Sequence, residues 1–222
     1  MGFSKNLLSR FRSALCSTTA GTEFFNIFNV TTLGTVEASK VVTVNASKFT
    51  TGLVGRTGVA VTAEHGAGVI GTGVAPATYR YTENGIIITE IKVDLQGLAS
   101  VATANDVIGL SAGGAAYIGR NVVATNGVIF KIEQICVETP ASGDNDVNIV
   151  ANSSAVLAYD GAGGTTYGVN AGDTTAGMVV QNLVQGLTDG HYFYLTAGTG
   201  DTAAAYTAGQ YIFRLHGHPV LT

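Results

Sequence analysis

Residues Gly109-Leu110-Ser111-Ala112-Gly113 spell the G-x-S-x-G pattern of a nucleophile elbow, and Asp189, His191 and His216 follow it in the chain order that such a hydrolytic triad takes. The elbow works only if a helix begins directly behind the serine. Here Gly113-Gly114-Ala115-Ala116-Tyr117-Ile118-Gly119 follows, which reads as a turn running into a strand. Gly66, Gly68 and Gly71 fit the G-x-G-x-x-G fingerprint behind the strand-like stretch Val59 to Ala63, but Gly73 and Pro76 interrupt the helix that would hold a pyrophosphate. With 30 glycines in 222 residues, such matches arise by accident.

Two spacings suit a metal ion. Asp144, Asp146 and Asn148 alternate like the first ligands of a calcium loop, yet Ile149 stands where the loop needs Gly and Ala155 where it needs a bidentate Glu. The plain reading is a polar turn entering a strand from Val147 to Val150. His216-Gly217-His218 puts two imidazoles on one side of an extended strand, which is too few for a closed site in one chain. Three chains around a threefold axis would bring six. The expectation is therefore no enzyme, with no catalytic residue, no cofactor and no metal, and surface histidines near the chain end.

The elements that carry these residues are strands. Asn84-Gly85 lies between the runs Tyr79–Glu83 and Ile86–Ile91, the signature of a two-residue hairpin turn, and Asn126-Gly127 and Asp189-Gly190 precede VIFKIEQICV and HYFYLT in the same manner. Ile91, Val93 and Leu95 alternate with Lys92 and Asp94, as in a half-buried strand, and Tyr211, Phe213 and Leu215 do so near the end. In Val128–Val137 the apolar parity changes after Ile132, so a bulge is expected near Gln134. Turn signals recur often and no second helical pattern of useful length appears. The expected fold is all-β, an antiparallel β-sandwich or jelly roll, with a short N-terminal amphipathic helix or arm. A composition shift near Thr82 divides the chain into an arm (1–20), an irregular β-rich region (21–82) and a C-terminal β-sandwich domain (83–222).

The arm is set apart by Phe3, Leu7, Leu8, Phe11 and Leu15, which share one helical face, with Lys5, Arg10 and Arg12 ahead of the first acid, Glu23. Three readings fit: a helix packed on its own domain, an assembly arm gripping a neighbour, or a targeting or membrane segment. We take Phe3, Leu7, Leu8, Phe11 and Leu15 as the assembly interface. Asn6 breaks a myristoylation signal.

Composition narrows the partners. Charged residues make up 12%, about half the usual share, and Pro only 3 residues, so the chain is not of the disordered class. A net charge of −4 and a pI near 5.5 argue against nucleic acid, whose phosphates need clustered Lys and Arg. The apolar runs fall short of the ~18 residues that span a bilayer. Cys16 and Cys136 are too few for a disulfide framework and read as free thiols, and the sequons at Asn29, Asn45 and Asn152 as chance. A surface this poor in charge suits burial against other protein.

The segments VDLQGLAS from Val93, DVIG from Asp106, AYIGR from Ala116, NGVIFKIE from Asn126, ETPASGDND from Glu138, YLTAGTGD from Tyr194 and AYTAGQYIF from Ala205 resemble a family of virion structural proteins of marine tailed bacteriophages, those of cyanobacteria especially. The resemblance covers residues 86–216 and carries over no functional residue. It implies a virion protein mounted on the outer surface of the capsid, a decoration or cement protein bound to the major capsid protein. A homotrimer is expected, with no nucleic acid and no membrane as partner. The alternative is a head fibre, tail spike or adhesion knob that binds a host receptor or glycan, with Tyr79, Tyr81, Tyr192, Tyr194, Tyr206 and Tyr211 as sugar-stacking rings.

Overall fold

The alternating runs are strands. A computed structural model describes the backbone of residues 59–61 and, in full, residues 64–164, 168–169, 171–185, 187–200 and 202–220, with the backbone of Tyr167. The arm with Phe3, Leu7, Leu8, Phe11 and Leu15, together with Cys16, Asn29 and Asn45, lies outside the described residues. Among the described residues ten strands follow in order: β1 (Val59–Val61), β2 (Ala77–Glu83), β3 (Ile86–Asp94), β4 (Tyr117–Arg120), β5 (Val128–Ala141), β6 (Val147–Asn152), β7 (Tyr167–Val169), β8 (Val179–Leu183), β9 (Tyr192–Ala197) and β10 (Ala208–His218). A single helical turn, α1 (Val123–Asn126), separates β4 from β5.

All strand pairs are antiparallel, in a six-stranded sheet β1-β2-β3-β10-β5-β8 and a four-stranded sheet β4-β9-β6-β7. With β1 and β2 set aside, the rest is β3-β10-β5-β8 facing β4-β9-β6-β7. Every connection from β3 onward crosses between the sheets except β6 to β7, which is the strand order of a jelly roll. The composition shift at Thr82 falls inside the β2–β3 hairpin, and β1 and β2 extend the same sheet as β3.

Local chemistry explains the joints. Asn84 and Gly85 have φ of 51° and 78°, the two positive values that the tight hairpin turn requires, and Glu83 pairs with Ile86 across it. Asn126-Gly127 is not a hairpin turn: Gly127, at φ 70°, ends α1, and a Cβ there would stand 2.3 Å from the His218 carbonyl oxygen. Asp189-Gly190 joins β8 to β9, strands of different sheets.

The inner faces share one apolar core. Ile91, Ile132, Tyr211 and Phe213 of the larger sheet pack with Ile118, Ile149, Phe193 and Leu195 of the smaller. Gln134 does not mark a bulge. The β5–β10 register runs unbroken from Ile132↔Leu215 to Cys136↔Tyr211, and shifts only at His216/Gly217 and between Ala208 and Tyr211. Gln134 keeps its inward place, fully buried, and its amide donates to the Val147 carbonyl of the opposite sheet at 2.7 Å. Ile135 and Val137 are instead apolar residues turned outward, Val137 being 47% exposed. A hydrogen bond inside and methyls outside invert the parity without any change of register.

Candidate interaction surface

The outer face of the six-stranded sheet is built from cross-strand rows. Tyr79, Glu90, Arg214, Glu133 and Gln181 make one row, and Tyr81, Ile88, His216, Lys131 and Leu183 the next. On the other side lie Ala77, Lys92, Ile212, Ile135 and Val179. Residues opposite each other in such rows, and those in adjoining rows, are within side-chain reach, and here they pair by charge. Arg214 Nε meets Glu90 Oε2 at 3.1 Å, Lys131 Nζ meets Glu133 Oε1 at 2.7 Å, and His216 Nε2 lies 3.3 Å from Glu133 Oε2. Lys92 adds a contact to Glu90 at 3.6 Å and lies over the Tyr79 ring, 4.9 Å from its centre.

Burial alone would push the Glu133 carboxyl upward, but the hydrogen bond from Lys131 and the charges of His216 and Lys131 outweigh it and hold the group low. The His216 imidazole is held below its ordinary range, first by burial and then by Lys131, against the pull of Glu133. Each carboxylate of the network thus has a cation beside it, and with three cations, Lys92, Lys131 and Arg214, against Glu90 and Glu133 one positive charge is left over.

The margin of this face is uncharged and apolar. Among the described residues β8 pairs only with β5, which leaves its other side an edge. Val179 is 59% exposed and Leu183 74%, and from Thr174 to Thr188 the sequence holds no charge. Neither a lysine, a proline nor a register shift blunts the edge, although isolated sheets ordinarily carry such devices.

The residues singled out from sequence are scattered. Ser111 sits in an exposed turn with extended chain and β4 behind it, not a helix. Asp189 caps α1, accepting from the Val123 amide at 2.9 Å, while His216 lies on the outer face beside Glu133. Gly66 and Gly68 bond through their amides to the Tyr117 and Ala115 carbonyls, and a Cβ on Gly66 would stand 1.9 Å from the Ala115 oxygen. These glycines permit close backbone approach, Gly66 capping and Gly68 lying within a short 3-10 turn, Ala67–Val69.

Asp144 organises loops: its Oδ1 accepts from the Asp146 amide at 2.9 Å and its Oδ2 from Gly200 at 3.0 Å. Asn148 accepts from the Ala171 amide. Among the described residues no group of three or more His, Cys, Asp or Glu is placed to hold a metal. His216 and His218 do share a face, with Phe130 stacked on His218 at 4.5 Å and 6.3 Å from His216. Asn152 has both amide atoms engaged, by Gly163 and Ser154, and Cys136 is a buried thiol.

The tyrosine platform is half dismantled. Tyr194, Tyr206 and Tyr211 are core residues, and burial pushes the Tyr194 hydroxyl up to about 12. Tyr206 donates to the Asp144 carbonyl at 2.7 Å and Tyr211 shares a hydrogen bond with Thr174.

The charge rows and the β8 margin escaped sequence reading, since each row joins residues far apart in the chain and Val179–Leu183 is short. The uncharged run Thr174–Thr188 was the available signal. No helix among the described residues is long and apolar enough to cross a membrane. No family model, no curated protein and no solved structure matches the chain.

Proposed function

We propose that the chain is a non-enzymatic structural component of a tailed-phage virion, a homotrimeric decoration protein that cements the major capsid protein shell from its outer surface. The class of particle comes from the resemblance of residues 86–216. The observation that carries the assembly role is the margin of β8, an edge that no described strand covers, where exposed Met178, Val179 and Leu183 suit a protein neighbour. The mutually paired charge rows beside it suit a surface that is covered, because they leave few charges to desolvate without partners.

Val179→Lys with Leu183→Lys tests this. Both side chains already face solvent, so the isolated fold should melt unchanged while occupancy on particles falls at least tenfold. Wild-type occupancy of the double variant refutes the role of this edge.

A further inference from the structure

Between β2–β3 of one sheet and β4 of the other, the sandwich opens into a cleft of about 290 Å³. Arg80 reaches into it from β2, opposite buried Thr89. Its Nε donates to Thr89 Oγ1 at 3.3 Å and its Nη2 to Asn126 Oδ1 at 2.8 Å. Asn126 is itself fixed, its amide donating to the Arg120 carbonyl at 3.0 Å while its oxygen also accepts from Thr89 at 3.2 Å. The guanidinium is therefore held in one orientation by neutral acceptors only. A guanidinium has five N–H donors, and these two bonds leave a part of the fork unengaged. Among the described residues no carboxylate lies within ion-pair distance of it; Glu64, at the exposed mouth, acts on it only through its field. Burial accordingly destabilises the charged form, with Glu64 in partial opposition.

A half-buried cation fixed by neutral groups is a built receptor for an anion, because a planar anionic group can engage the free edge of the fork and supply the missing counter-charge. Arg80 and Arg120 against Glu64 leave one positive charge in the lining, which matches a monoanion. Thr78 and Thr125 add hydroxyls, while Ile91 and Leu215 give an apolar wall. The volume is at the small end of ligand pockets, about 300 Å³ and upward. We propose that this cleft binds a small monocarboxylate of sugar-acid size, its carboxylate on Arg80 and its hydroxyls on the threonines. Binding here is independent of where the protein is mounted.

D-glucuronate, D-glucose and inorganic phosphate, titrated into the full-length protein and followed by amide chemical shifts, test it. Glucuronate should shift the amides of Thr89, Gly119 and Asn126 saturably, glucose should not, and phosphate should bind at least tenfold more weakly. Arg80→Gln should weaken glucuronate at least tenfold, and Arg80→Lys, which keeps the charge and loses the fork, nearly as much. Absence of saturation, shifts mapping elsewhere, equal response to glucose, or phosphate as strong as glucuronate each overturn the proposal. Because the wild-type shift map needs no substitution, an unstable Arg80 variant leaves the test intact.

Discussion

Gly119 of β4 faces Ile91 of β3 across the sandwich, and a Cβ built on Gly119 would stand 2.7 Å from Ile91 Cδ1 but 3.9 Å from its Cγ1 and from Phe193 Cδ2. Gly119 has no positive φ, so alanine is allowed there by the backbone. Gly119→Ala should then destabilise through one methyl contact. Overpacking of this kind costs about 1–3 kcal/mol, and the neighbouring cleft gives the methyl some relief, so a net loss of about 1 kcal/mol is expected once the entropic gain of Gly→Ala, roughly 0.4–1 kcal/mol, is set against it. Ile91→Val removes Cδ1 alone and should cost about 0.5–1.5 kcal/mol. In the Ile91→Val background the nearest atoms are at ordinary van der Waals distance, so Gly119→Ala should change sign and stabilise by roughly 0.4–1 kcal/mol. Urea midpoints of the four proteins, at constant denaturant slope, give the coupling. Additive effects would show that β3 and β4 do not pack face to face, and the two-sheet assignment would fail with them.

Acidification should destabilise the fold in two steps. A histidine held below its ordinary range contributes stability that is full above about pH 6.5 and is lost as pH falls from there through its lower folded-state value, and a lowered glutamate contributes stability present above about 4.3 and lost as pH falls through its own lower folded-state value. Urea midpoints should therefore hold above about pH 6.5 and fall as the pH drops below it, and His216→Gln should remove the first part of that fall; an unchanged profile in the variant rules out His216 as the source. Ser111→Ala should leave particle binding and stability intact, and covalent labelling of Ser111 by a serine-hydrolase probe would overturn the structural reading of that turn. Leu7→Asp with Leu8→Asp should release the protein from particles if the arm docks on a neighbour, because full burial of a Leu or Phe there would contribute about 1.5–3 kcal/mol. Arg10→Ala with Arg12→Ala should not, since exposed ion pairs contribute about 0–1 kcal/mol; retention of the double-Asp variant at full occupancy refutes the arm.

Strands with strict alternation were legible from the chain alone. Ile91, Val93 and Tyr211, Phe213, Leu215 all point into the core as their spacing requires, and Asn84-Gly85 makes the turn its residue types favour. The failures share a cause, which is that tertiary partners decided the outcome. Gln134 looked like a fault in the pattern because its acceptor, Val147, belongs to the other sheet. Asn126-Gly127 looked like a hairpin, but Asn126 is held by Arg80, Thr89 and the Arg120 carbonyl, and so closes a helical turn. Tyr194, Tyr206 and Tyr211 carry the same strand propensity whether a hydroxyl meets solvent or a buried carbonyl. The Arg80 cleft left no local trace, since its lining comes from Glu64 to Leu215.

The central claim is that this protein is a part of a phage particle. A reconstruction of purified virions from electron micrographs, with the protein's peptides quantified in the same preparation, tests it most directly. The account predicts threefold density on the outer capsid surface into which the two-sheet sandwich fits with the β8 edge against a neighbour, at a fixed ratio to the major capsid protein. Its absence from washed particles, or its presence only in the lysate, would contradict the account.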